Sequence, residues 1–188
     1  MRKKIIIEPI SWQKGCIRII DQTRLPIELK YEDLNSVSGV WHAIKKLKVR
    51  GAPLIGIAGA LGFLLGFEKI RSKDKDVIMD RSKQLHDYLA SSRPTAVNLF
   101  WALERMMEVV RQNSGRSLSV ISGLLKSEVE KIIDEDVEMC FKMSEFGSGL
   151  IKTGDNLMTV CNAGALATSG YGTALGVFYR AYFVKNIF

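Results

Sequence analysis

Three short segments combine residue types that can hold an anion or move a proton. In Arg50-Gly51-Ala52-Pro53, the proline pushes Ala52 out of the helical region and itself suits the first position of a helix. Arg50 and the Gly51 and Ala52 amides are thereby gathered at a helix N-terminus, where unpaired N–H groups, the helix dipole and a guanidinium attract phosphate. Ser92-Arg93-Pro94-Thr95 repeats this logic at the mouth of the next apolar-periodic segment, with Asn98 one turn further in as a candidate polar lining residue. The third segment is Val160-Cys161-Asn162-Ala163-Gly164. In an open α/β sheet ligands collect beyond the carboxyl ends of strands, and a thiol there can act as acid, base or nucleophile. Each segment also has a plainer reading: a surface arginine before an N-terminal proline, a solvated asparagine, and a cysteine serving as a small buried hydrophobe.

Other chemistry-bearing residues are set aside. Gly170-Tyr171-Gly172 continues to Gly176 as GxGxxxG, which is not the dinucleotide fingerprint. His42 and His86 fall on predicted helices and read as surface or edge residues without a partnering acid or cysteine. Cys16, Cys140 and Cys161 are odd in number and lack zinc-site spacing, so neither a disulfide framework nor a metal site is expected, and no cofactor is required. Cys16 and Cys140 are read as buried and structural.

The elements that must position these residues follow from periodicity. Residues 5–7, 16–20 and 27–30 are β-branched runs that predict a small antiparallel sheet, with Gln13-Lys14-Gly15 and Pro26 between them. Asp33 is an N-cap for a helix carrying Leu34, Val37, Trp41, Ile44 and Leu47, which ends just before Arg50. Residues 54–67 are apolar on every side and predict a fully buried helix packed through its glycines. Helices are expected at 76–90, 95–111 and 117–146, the last with a candidate break near Gly123 and a stop at Gly147. A strand over 157–161, a Gly/Ala/Thr loop and a helix from Thr173 then read as the first β-loop-α of a Rossmann-like domain. The fold class is therefore α/β. The division is residues 1–146, sheet and helical domain, and 147–188, the start of a truncated Rossmann-like domain.

Composition bounds the function. The 188 residues are 47% hydrophobic and 25% charged, which suits a packed globular chain rather than a disordered one. A net charge of +7 admits nucleic acid, anionic lipid or a phosphorylated small molecule as partner. The basic residues are scattered, without an aromatic-interleaved stripe, so nucleic acid is not expected. The long uncharged stretches carry glycines, Pro53 and hydroxyl residues where a spanning helix has aliphatics, so no membrane span is expected. The basic N-terminus meets Glu8, Pro9 and Gln13 before any signal-peptide core forms, and the default compartment is the cytoplasm.

Four segments together are specific. They are Asp21-Gln22-Thr23-Arg24-Leu25-Pro26, Val49-Arg50-Gly51-Ala52-Pro53, Ser92-Arg93-Pro94-Thr95-Ala96-Val97-Asn98-Leu99 and Cys161-Asn162-Ala163-Gly164-Ala165-Leu166-Ala167-Thr168. On these the sequence resembles the methylthioribose-1-phosphate isomerase family. The relatives of that family are ribose-1,5-bisphosphate isomerase and regulatory subunits of the translation initiation factor that exchanges guanine nucleotide. The resemblance implies that Arg50, Gly51, Ala52 and Arg93 bind substrate, and that Cys161 is the catalytic cysteine. It implies conversion of 5-methylthioribose 1-phosphate to 5-methylthioribulose 1-phosphate in methionine salvage, by a homodimer. It further implies a second half with an acidic catalytic residue, so the chain is expected to be incomplete and inactive alone. Ribose-1,5-bisphosphate isomerisation and a non-catalytic regulatory role stay open as alternatives.

Overall fold

The structure, a computed structural model, describes residues 6–185. Strands β1 (Ile10–Gln13), β2 (Cys16–Ile20) and β3 (Tyr31–Leu34) form an antiparallel sheet in the order β1-β2-β3. Lys14 and Gly15 turn the first hairpin with φ of 48° and 84°, the pair of positive angles whose twist matches the flanking strands. The register opposes Ile10 with Ile19, Trp12 with Ile17, and Ile17 with Leu34. One face is thus apolar and turned to the core. The other carries Arg18, whose Nε and Nη2 donate to the two carboxylate oxygens of Asp33 at 2.7 and 2.9 Å.

Six helices complete the described chain: α1 (Val37–Lys45), α2 (Ala52–Phe67), α3 (Lys75–Ala90), α4 (Val97–Gln112), α5 (Leu118–Ser148) and α6 (Ala174–Lys185). As its all-round apolarity dictates, α2 is the centre: every residue from Leu54 to Phe67 is buried, against α1, α3, α4 and α5. Glycine permits the approach, since a Cβ at Gly59 would lie 2.4 Å from Leu99 Cδ1. Among the described residues no helix is long and apolar enough to cross a membrane.

Several expectations need correction. Of the run 5–7, Ile5 lies outside the described residues and Ile6 and Ile7 form no strand; the first strand begins at Ile10. Residues 27–30 form no strand either, and Ile27 is fully exposed; Pro26 has no N–H to give a ladder, and pairing resumes at Tyr31. Asp33 sits in β3, and the cap of α1 is Ser36, whose hydroxyl accepts from the Gly39 amide at 3.1 Å. Helix α5 runs unbroken through Gly123, where an exposed glycine costs only about 1 kcal/mol. It also continues through Gly147, where a Cβ would fall 2.7 Å from Val177 Cγ2 of α6. That glycine marks a helix contact, one residue before the end of α5 at Ser148.

The largest departure lies at 157–161. The segment is irregular, with Met158 95% and Val160 85% exposed. A strand needs a neighbour for its backbone groups, and no described residue pairs with this one. The first strand of the expected Rossmann-like unit is therefore not formed. Its helix is: α6 starts at Ala174 and packs along α5.

Candidate active site

The site is built around the first turns of α2. Gly51 caps the helix with φ of 98° and offers no side chain to its free amides, so the first-turn N–H groups have no side-chain cap. Pro53 occupies the second helical position, one later than expected. A Cβ on Gly51 would lie 2.5 Å from Ala167 Cα and 2.6 Å from its carbonyl oxygen. The chain after Cys161 is thus seated directly on the Arg50-Gly51 turn, and glycine is the residue that permits it. At Gly56, one turn on, the neighbour is the Asn98 carbonyl, 2.8 Å from a Cβ position. Asn98 therefore meets α2 through its backbone, while its side chain is half-buried.

Gln22 joins the two parts. Its amide nitrogen donates to the Leu166 carbonyl at 2.8 Å, and its amide oxygen accepts from Arg50 Nε at 3.4 Å. Gln22 is 2% exposed and its neighbour Asp21 is equally buried. Burial works to raise the Asp21 pKa, yet hydrogen bonds from the Thr23 hydroxyl and amide, with Lys48 and Arg24 nearby, hold it below the usual aspartate value.

Cys161 is exposed and has φ of 69°, in the left-handed region. For a non-glycine residue this costs on the order of 1–2 kcal/mol, so the surrounding structure must enforce it. The loop between Cys161 and α6 is tightly tied. Ala165–Ala167 form a 3-10 turn. The buried Thr168 hydroxyl oxygen accepts from the amides of Gly170, Tyr171 and Gly172 at 3.3, 3.3 and 2.9 Å. Asp136 of α5 accepts from the Ser169 amide at 2.7 Å and its hydroxyl at 2.5 Å. The Ala163 carbonyl accepts from the Thr173 amide at 3.0 Å, closing the loop on α6.

The structure brings together Arg50, Gly51, Ala52 and the loop that begins at Cys161. Arg93 is placed less directly. It lies half-buried in the turn before α4, its carbonyl accepting from the Ala96 amide at 3.0 Å; no hydrogen bond joins it to Arg50 or Cys161. Cys140 is buried as expected, and burial, then the Asp136 charge, pushes its thiol pKa up to about 11. Cys16 is only half-buried and donates to the Gln13 carbonyl at 3.0 Å. His86 does have acidic neighbours, contrary to the sequence reading: Asp87 at 2.9 Å and Glu104 of α4 at 3.2 Å. It belongs to the α3–α4 contact. Among the described residues no His, Cys, Asp and Glu cluster could hold a metal ion.

Gln22, Thr168, Ser169 and Asp136 are the residues whose part in the site the sequence did not disclose. Gln22 and Thr168 lie in segments already singled out, but nothing in their type announces a bridge. A polar pair directly after the apolar run 16–20 is the one usable signal for Gln22. A cavity of about 650 Å³ lies at the far end of α2 by Gly66, Arg71 and Leu85. Its Lys69 and Arg71 already donate to the carbonyls of Asn35, Glu68 and Ile70, which makes them caps of nearby chain ends.

The site thus presents an arginine-flanked helix N-terminus beside a glycine-rich loop that begins at a cysteine, and helix ends of this kind attract small anions. The chain belongs to the Initiation factor 2 subunit family, whose profile matches residues 48–186. It is 51% identical over 172 residues to a methylthioribose-1-phosphate isomerase of Caldicellulosiruptor saccharolyticus, covering 90% of this chain and 49% of the relative. It is 46% identical to a 5-deoxyribose 1-phosphate isomerase of Moorella thermoacetica, covering 92% and 49%. Among solved structures, 5-methylthioribose 1-phosphate isomerase from Pyrococcus horikoshii superposes with a TM-score of 0.88 at 38% identity, over 96% of this chain and 50% of that one. Translation initiation factor eIF-2B subunit delta from A. fulgidus superposes with a TM-score of 0.82 at 43% identity, over 93% and 51%. The chain spans about half the length of the curated relatives it matches.

Proposed function

We propose that this chain carries the phosphate-binding and thiol-bearing part of an aldose-ketose isomerase site for a ribose 1-phosphate that lacks a 5-hydroxyl. The observation that supports this best is the seating of Ala167 on Gly51, which sets the Arg50 helix end against the Cys161 loop. The names of the two isomerase relatives share one substrate chemistry: a ribose 1-phosphate whose 5-position is deoxy or methylthio. Of these, 5-methylthioribose 1-phosphate is our first choice of substrate, as a step of methionine salvage.

The anomeric oxygen of such a sugar carries the phosphate, so the ring cannot open by simple loss of a hydroxyl proton. A proton must reach the ring oxygen as its bond to C1 breaks, a hydrogen must pass from C2 to C1, and the C2 hydroxyl must give up its proton to balance the one the ring oxygen takes, leaving the carbonyl at C2. The product is an isomer, so no atom or electron is gained or lost. Arg50, the Gly51 and Ala52 turn, and Arg93 hold the phosphate, an interaction worth most where water is excluded. Cys161 relays the proton or stabilises the charge that develops.

The test is protection of Cys161. The chain is treated with iodoacetamide, with and without 5-methylthioribose 1-phosphate, and labelling is read by peptide mass spectrometry. We expect the sugar phosphate to slow Cys161 labelling, with protection lost in Arg50→Ala. Equal labelling at saturating millimolar ligand overturns the reading.

A further inference from the structure

Gln22 lies in a buried turn after β2, far in sequence from both parts of the site, and touches both. Its amide can face only one way. The Leu166 carbonyl can only accept, so the nitrogen must meet it; Arg50 Nε can only donate, so the oxygen must meet that. At 2% exposure neither group has water as an alternative partner. The turn is itself fixed. The Gln22 backbone N–H donates to the Lys48 carbonyl at 3.0 Å, Lys48 Nζ lies 3.7 Å from Asp21, and Asp21 accepts from Thr23.

We propose that Gln22 is a positioning residue that sets the Arg50 guanidinium and the Cys161 loop in one register. The contact uses a single donor of Arg50, at the long end of the hydrogen-bond range, and leaves the remaining guanidinium donors for an anion. Neutrality matters as much as shape. A carboxylate in this place would cancel the charge that Arg50 offers a phosphate, and would set an oxygen against the Leu166 carbonyl. The acid of this turn, Asp21, is instead directed to Thr23 and Lys48.

Two variants and two readouts test this. Gln22→Met keeps the volume and loses both contacts; Gln22→Glu keeps the acceptor for Arg50 and loses the donor. Amide exchange in the ligand-free chain needs no assumption about substrate. In Gln22→Met we expect faster exchange at Ala52, Leu54 and residues 165–168 together, with the α4 and α5 amides unchanged. Unchanged exchange at either segment overturns the inference. The second readout rests on the proposed function: affinity of the folded chain for 5-methylthioribose 1-phosphate. Loss of the charge-assisted contact in Gln22→Met, and cancellation of the Arg50 charge in Gln22→Glu, each predict a fall of about tenfold or more, and in Gln22→Glu it should exceed what its thermal midpoint explains. A purely structural glutamine would shift the midpoint and leave the affinity of the folded fraction as it was, which also overturns the inference. If the unaltered chain binds no sugar phosphate, the proposed function fails while the exchange experiment still decides the role of Gln22.

Discussion

The two sides of the site are held by different forces. On one side α2 is buried along its whole length from Leu54, and its N-terminal turn inherits the rigidity of the core through ordinary packing. On the other side the loop after Cys161 has few large apolar residues and is latched by a handful of oxygen atoms: Thr168 Oγ1, Asp136 Oδ2 and the Ala163 carbonyl. Packing is lost only with the fold, whereas a hydrogen-bonded latch can open by itself. The α2 end of the site is thus fixed, and the loop that begins at Cys161 is the part whose hydrogen bonds can be released locally.

The strongest way to break this contrast is to attack the packed side. Phe63 is fully buried in α2, and Phe63→Ala should cost about 3–5 kcal/mol of global stability, read as a cooperative shift in denaturant unfolding. A loss confined to the neighbourhood of α2, without a shift of the whole transition, would mean that the core is not one unit. A smaller and local effect is expected from the latch. Asp136→Ala strands the Ser169 amide and hydroxyl, a cost of about 1–3 kcal/mol. It should appear as faster amide exchange over residues 163–173 while the exchange of α2 is unchanged. If α2 responds equally, the loop is part of the core and the contrast fails.

That division also explains what could be read in the sequence. The α2 helix, the Cys16–Ile20 strand and the presence of α4 were legible because each carries a periodicity that packing enforces locally. The two arginine turns were legible because a proline just after each arginine marks the approach to a helix start, although Ala52 is itself helical and Pro53 is the second residue of α2. Residues 157–161 misled for the converse reason. An apolar run says that a segment can be a strand, but only a neighbouring strand makes it one. The role of Gln22 was hidden because its partner Leu166 is 144 residues away, and no local pattern encodes a single long-range hydrogen bond. Cys161 was chosen for its chemistry and its resemblance, and its left-handed backbone became visible only in three dimensions.

The smallest expected effect concerns pH and the turn that carries Gln22. Asp21 is buried, and its pKa in the folded chain is lowered below the ordinary value of 3.8 because the Thr23 bonds and nearby cations outweigh the burial that would raise it. A depressed folded pKa gives stability that is fully present above the unfolded pKa and is lost as pH falls through the folded one. Asp21→Asn should therefore be less stable than the unaltered chain at about pH 5, with the gap narrowing by about pH 3 as the carboxylate of the unaltered chain protonates. Urea midpoints at the two pH values measure it. Because Asp21 and Gln22 share one turn, the same acidification should lower the protection of the amides of residues 165–168 relative to their intrinsic exchange rate at each pH, extending the latch on the Cys161 loop back to the sheet. A gap that stays constant with pH would show that the turn is held by packing, and would move Gln22 from the latched side of the molecule to the packed one.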